Sequence, residues 1–176
     1  EFGQLLEPEP RSALARMAMA CCLDDLGLLA DAVEQLELAV QLEPRDAALL
    51  FGLGYCTERQ GRLSEAVSHY QAAIRSCTAL RSARERLAAI CIRQNRLDDA
   101  AEQYVELLSD APGDVDLHMV LANLYLRSGK PDAAVQQFER ALTIEPDNWE
   151  ARNELVETLE QAGLLREAIE QLHLLA

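Results

Sequence analysis

The chain has 176 residues and a formal net charge of −14 at pH 7, from 30 acidic and 16 basic residues. That balance argues against general binding to nucleic acid or anionic membrane, both of which need basic surface. Hydrophobic residues make up 49% and aromatics only 5%, so there is material for a core but it has to be packed with Ala and Leu.

No run of 18 apolar residues exists, so no transmembrane helix is expected. The chain starts at Glu1 with neither a charged n-region nor an apolar h-region. The missing initiator Met suggests a fragment of a longer protein. The five cysteines, Cys21, Cys22, Cys56, Cys77 and Cys91, form no CxxC pair and are odd in number. A disulfide framework or metal site is therefore not expected. Free thiols fit a reducing compartment, so a cytoplasmic location is expected.

The organising feature is a period of 34 residues. Ala32, Ala66, Ala100, Ala134 and Ala168 form one series. Leu36, Tyr70, Tyr104, Phe138 and Leu172 form a second, and Pro10, Pro44, Thr78, Pro112 and Pro146 a third. A period of this size marks a repeat architecture. Residues 1–12 read as the end of a preceding repeat, because Phe2 and Pro10 fall in two of the series. Four units follow, 13–46, 47–80, 81–114 and 115–148, and 149–176 is a partial fifth, all in one domain.

Each unit reads as two helices. Leu49, Leu50, Leu53 and Cys56 recur at helical spacing, as do Leu117, Leu121, Leu124 and Tyr125. A breaker follows, Gly27, Gly61, Asn95, Gly129 or Gly163, all residues that tolerate the left-handed conformation. The second helix opens with an acid, Asp31, Glu65, Asp99, Asp132 or Glu167, which suits a helix N-terminus. It stops before Pro44, Pro112 or Pro146. Small residues at Ala20, Gly54, Ala88 and Ala122 are expected to let the first helix approach the second. Tyr70, Tyr104 and Phe138 should fill the gap to the next unit. The third unit is degenerate: Thr78 stands for the preceding proline, Asn95 for glycine and Leu107 for an alanine. The helix ending near Cys77 is expected to run on, or the array to loosen there.

These positions resemble the tetratricopeptide repeat. Leu121, Ala122, Tyr125, Gly129, Ala134, Phe138, Ala141 and Pro146 match its pattern best, and the resemblance covers the whole chain. The family's Trp position departs from it, holding Arg16, Leu50, Arg84, His118 and Arg152. The resemblance implies an all-α, right-handed α-solenoid of antiparallel helix pairs without β-sheet, whose first helices line a concave groove. The implied groove residues are Met17, Phe51, Tyr55, Arg59, Ile92, Arg93, Met119, Asn123, Leu126 and Arg127. Arg59, Arg93 and Arg127 would stack as a ladder whose outer members lie about 20 Å apart, suiting an acidic peptide. The alternative is that these arginines pair with neighbouring acids and that the apolar groove residues turn into the packing. The family's two-carboxylate clamp would need Lys where Met17, Phe51, Glu85, Met119 and Asn153 stand, so binding of chaperone tails is not expected.

No phosphate loop, dinucleotide fingerprint or catalytic signature occurs. His69, His118 and His173 share no repeat position, and the acids read as solvated faces. The expected function is a non-catalytic protein–protein interaction scaffold. It should hold a peptide or helix segment in the groove and need no cofactor, metal, nucleic acid or membrane insertion. Two alternatives are a substrate-recognition arm of a larger enzyme, of glycosyltransferase or sulfotransferase type, and a scaffold stacking end to end. In the last, Leu172, Leu174 and Leu175 on an uncapped terminal repeat offer a route to homo-oligomers.

Overall fold

The computed structural model describes residues 12–78 and 80–173. Phe2 and Pro10, which carry the preceding-repeat assignment, and Leu174 and Leu175 lie outside the described residues. Among the described residues the chain forms ten α-helices and no strand. They are α1 (Ala13–Asp25), α2 (Leu29–Leu42), α3 (Ala47–Arg59), α4 (Leu63–Ser76), α5 (Arg81–Arg93), α6 (Leu97–Asp110), α7 (Val115–Arg127), α8 (Pro131–Ile144), α9 (Trp149–Gln161) and α10 (Leu165–His173).

Local chemistry sets the helix ends. Odd-numbered helices start behind a short polar side chain that accepts from the first-turn amides: Ser12, Asp46, Asp114 and Asn148. Leu80 stands at the corresponding position before α5. Each turn into an even-numbered helix contains one residue at positive φ: Gly27, Gly61, Asn95, Gly129 and Gly163. Asn95, at φ +57°, shows that the amide side chain serves where glycine is absent. These turns are short, which forces neighbouring helices antiparallel.

Thr78 does not prolong α4. The helix ends at Ser76, and the Cys77 amide closes it on the Ala73 carbonyl at 2.9 Å. The amides of Glu43, Ala111 and Glu145 close α2, α6 and α8 in the same way. Proline is therefore not needed for the stop.

The chain divides into two compact units, residues 1–90 and 91–176. In the first, Ala20, Ala32, Leu36 and Ala39 pack with Leu49, Leu53 and Cys56, and Tyr70 packs with Leu50, Ala66, Ala73, Ala83 and Ile90. In the second, Ala122, Ala134 and Phe138 pack with Leu155, Val156 and Leu159, and Val115, Ala141 and Ala151 form a satellite. Tyr70 and Phe138 are fully buried. Tyr104, expected to fill the same role, is only half-buried. The small residues do what their spacing implies. A Cβ on Gly54 would lie 2.8 Å from two ring carbons of Tyr70, so only glycine admits that ring where it stands.

Candidate partner-binding surface

The odd-numbered helices carry every predicted groove residue, and in the first unit their geometry is definite. Between α1 and α3 lies a cavity of about 340 Å³ lined by Met17, Cys21, Phe51, Gly52 and Tyr55, with Leu36 of α2 beneath. Met17, Phe51 and Tyr55 are half-buried, each packed on the core with one side and open on the other. The Phe51 ring is braced at 5.7 Å from Tyr70. Each of these side chains is thus partly packed and partly open. Asp24 and Asp25 complete the lining, which contains no cation.

Arg59 ends α3 and pairs with Asp24. Its guanidinium also lies 5.9 Å from the Tyr55 ring centroid, and that of Arg86 lies 5.0 Å from the same centroid. Glu58 is held underneath: it accepts from the Tyr70 hydroxyl at 2.8 Å and sits 3.9 Å from Arg86. Burial, then that hydrogen bond, hold the Tyr70 phenol far above its ordinary range. Burial pushes the Cys56 thiol up to about 11, and the charge of Asp24 adds to it.

Arg59 belongs to the first unit, and Arg93 and Arg127 to the second. In the second unit Met119 and Leu126 are half-buried against the Phe138 cluster, and Ile92 is half-buried. Asn123, Arg93 and Arg127 are exposed. Arg127 and Ser128 line a shallow polar recess with Asn95, Arg96, Asp98 and Asp99. Here Arg96 pairs with Asp99 at 2.5 Å and Lys130 with Asp98 at 2.9 Å.

Two features escaped the sequence reading. One is Gly52, which sits inside a helix at a cost of about 1 kcal/mol relative to Ala. Unlike Gly54 it is not demanded by packing, since its Cβ would meet only Leu36 methyls, at 3.4 and 3.7 Å. The signal was present as a second glycine two residues before the expected small position. The other is a repeated polar staple at the position where the family has Trp. Arg16 donates to Gln35 at 2.8 Å and Arg152 to Gln171 at 3.0 Å, always 19 residues on. Arg152 also donates to the Pro146 carbonyl, and Arg84 to that of Thr78 at 3.3 Å, six residues back. His118 spans both kinds of partner, with its ring nitrogens 2.9 Å from Gln137 Oε1 and 3.2 Å from the Pro112 carbonyl. Arg84, His118 and Arg152 are all buried. The matching series Gln35, Gln103, Gln137 and Gln171 was legible; Leu50 and His69 interrupt it in the second unit.

Paired antiparallel helices at a fixed period, with small–aromatic packing, define an all-α helical-repeat solenoid. The chain belongs to the tetratricopeptide repeat family. Models of the tetratricopeptide repeat match residues 17–80, 92–141 and 125–176. No curated protein matches the sequence. Among solved structures, MamA is similar at 25% identity and a TM-score of 0.70, over 85% of this chain and 87% of that one. A tetratricopeptide repeat protein from Parabacteroides merdae is also 25% identical, at a TM-score of 0.72, over 90% of this chain and 63% of that one. YrrB, described as a TPR protein with an unusual peptide-binding site, shares the fold at 17% identity and a TM-score of 0.74, over 98% and 89%. Among the described residues no helix is long and apolar enough to cross a membrane.

Proposed function

We propose that the chain is a non-catalytic protein–protein interaction scaffold whose odd-numbered helices hold a peptide or helix segment of a partner. Family membership supports the scaffold role. The observation that carries the binding site is the apolar cavity between α1 and α3, bounded by the half-buried Met17, Phe51 and Tyr55. Aromatic and Met side chains held at a recess are the usual anchors of an interface. In the second unit Met119, Asn123, Leu126 and Arg127 supply the corresponding contacts, with Ile92 and Arg93 at the end of α5. Arg59 contributes through Tyr55 and Asp24 rather than as a bare cation.

The test is selection of random twelve-residue peptides displayed on phage against the purified chain. Enriched peptides should lose at least about tenfold in affinity, roughly 1.4 kcal/mol, on Tyr55→Ala or on Met119→Ala, with melting still above the assay temperature. Binding that survives both substitutions would reject the proposed surface.

A second reading, end-to-end stacking, is favoured by α10, where Ile169 and Leu172 are 53% and 44% exposed. The equivalent Phe138 of α8 is fully buried and Val135 half-buried, both packed with the α9 cluster. In the full-length protein, a concentration-dependent mass in sedimentation, abolished by Ile169→Glu, would support stacking; an unchanged mass would reject it.

A further inference from the structure

We propose that the cavity between α1 and α3 is a side-chain-selective socket for a partner segment in which one Phe-, Leu- or Met-sized apolar residue is flanked by Lys or Arg. This rests on the reading that the odd-numbered helices bind a partner, and it specifies what the first unit accepts.

Three observations carry it. The cavity, at about 340 Å³, has the size of the smaller ligand clefts, and its interior is built from Met17, Phe51, Tyr55 and Leu36. An extended peptide lying across it can insert a large apolar side chain.

Gly52 is the second observation. Glycine inside a helix weakens it, and proteins retain it where something approaches the backbone closely. For Gly54 that something is the Tyr70 ring; for Gly52 no protein atom comes closer than a Leu36 methyl. Gly52 instead forms part of the cavity wall. Any larger residue there would begin to fill the socket, so the helix forgoes stability to keep the space.

The third observation is charge. The lining holds two carboxylates and no cation. Asp24 is taken by Arg59. Asp25, the next residue, is exposed and has no ion-pair or hydrogen-bond partner among the described residues. A guanidinium or ammonium group beside the inserted side chain would pair with Asp25, whereas an acid there would be repelled. The socket thus selects apolar-plus-basic segments, in contrast to the acidic ligands that a row of arginines suggests.

The same displayed-peptide selection decides the matter when its winners are titrated by fluorescence anisotropy against the parent chain, Gly52→Met and Asp25→Lys. The socket predicts enrichment of sequences with a single Phe, Leu or Met next to Lys or Arg. It predicts at least about tenfold weaker binding to Gly52→Met, whose melting temperature should not fall, because Met favours helix over Gly. It predicts about fivefold weaker binding to Asp25→Lys, with the loss shrinking at high salt. Unchanged affinity for Gly52→Met, or an acidic consensus, would overturn the socket while leaving the wider binding surface intact if Tyr55→Ala still abolishes binding. Absence of any enriched sequence would overturn both. Should circular dichroism show that Gly52→Met does not fold, Asp25→Lys decides alone, since that side chain is exposed.

Discussion

Two glycines in α3 offer the same substitution with opposite expected signs. Gly54→Ala places a methyl 2.8 Å from Tyr70 Cδ1 and Cε1 and 3.3 Å from Cγ. The ring cannot retreat freely: it is fully buried, and its hydroxyl is tied to Glu58 at 2.8 Å. Overpacking of this kind costs about 1–3 kcal/mol, and the better helix propensity of Ala returns about 1 kcal/mol. The net loss is then about 0–2 kcal/mol. Gly52→Ala meets only flexible Leu36 methyls at ordinary contact distance, so most of the propensity gain survives and the protein is stabilised by about 0.5–1 kcal/mol. Urea denaturation followed by circular dichroism resolves differences of this size. A further arm isolates the cause. In the second unit Ala122 packs with Phe138, which has no hydroxyl tether. Gly54→Ala should therefore cost less in a Tyr70→Phe background, because the ring is then free to shift. Equal shifts for Gly52→Ala and Gly54→Ala would refute the packing argument. So would a cost of Gly54→Ala that Tyr70→Phe leaves undiminished.

The polar staple predicts that Arg152→Met destabilises by about 1–3 kcal/mol, because Gln171 and the Pro146 carbonyl lose a buried charged donor; His118→Arg, which copies the residue of the neighbouring repeats, should be tolerated, and both are read by thermal melting. Thiol titration with a disulfide reagent at pH 8 should modify the exposed Cys21 and Cys77 quickly and the buried Cys56 and Cys91 only on denaturation, since burial raises both buried thiols; fast reaction of Cys56 would contradict its environment. Burial first, then the charges of Glu157 and Glu150, raise the Glu154 carboxyl in the folded protein. A raised folded-state pKa means that ionised Glu154 opposes folding at neutral pH and that this penalty disappears as pH falls through the carboxylate range. Glu154→Gln should accordingly raise the melting temperature at pH 7 and leave it unchanged at pH 3; a gain equal at both values would refute the linkage.

The period made the fold legible, because the residues that repeat are those that pack. Ala66, Ala134, Tyr70 and Phe138 announce their burial by recurring with the spacing of one helix pair. Asn95 was legible as a turn residue because few side chains tolerate its conformation. Thr78 misled because a missing proline removes one stop signal, whereas the Cys77 amide closes α4 without it. Tyr104 belongs to the same series but is half-buried where Tyr70 and Phe138 are enclosed, because burial follows the neighbours each repeat supplies. The groove residues were legible only as positions. Whether Arg59 faces a ligand or an acid depended on Asp24, 35 residues away, and no local pattern encodes that pair. Gly52 carries its meaning only in contrast with Gly54, once the Tyr70 ring is seen against one and open space against the other. The staple was written in the sequence as an Arg/His series and a Gln series 19 residues apart, but neither residue type signals burial by itself.

The most direct measurement is hydrogen exchange of the purified chain with and without a saturating selected peptide. The account predicts slowed exchange in α1 and α3, over residues 17–25 and 51–59. Protection confined to the even-numbered helices α2 and α4, with α1 and α3 unchanged, would contradict it.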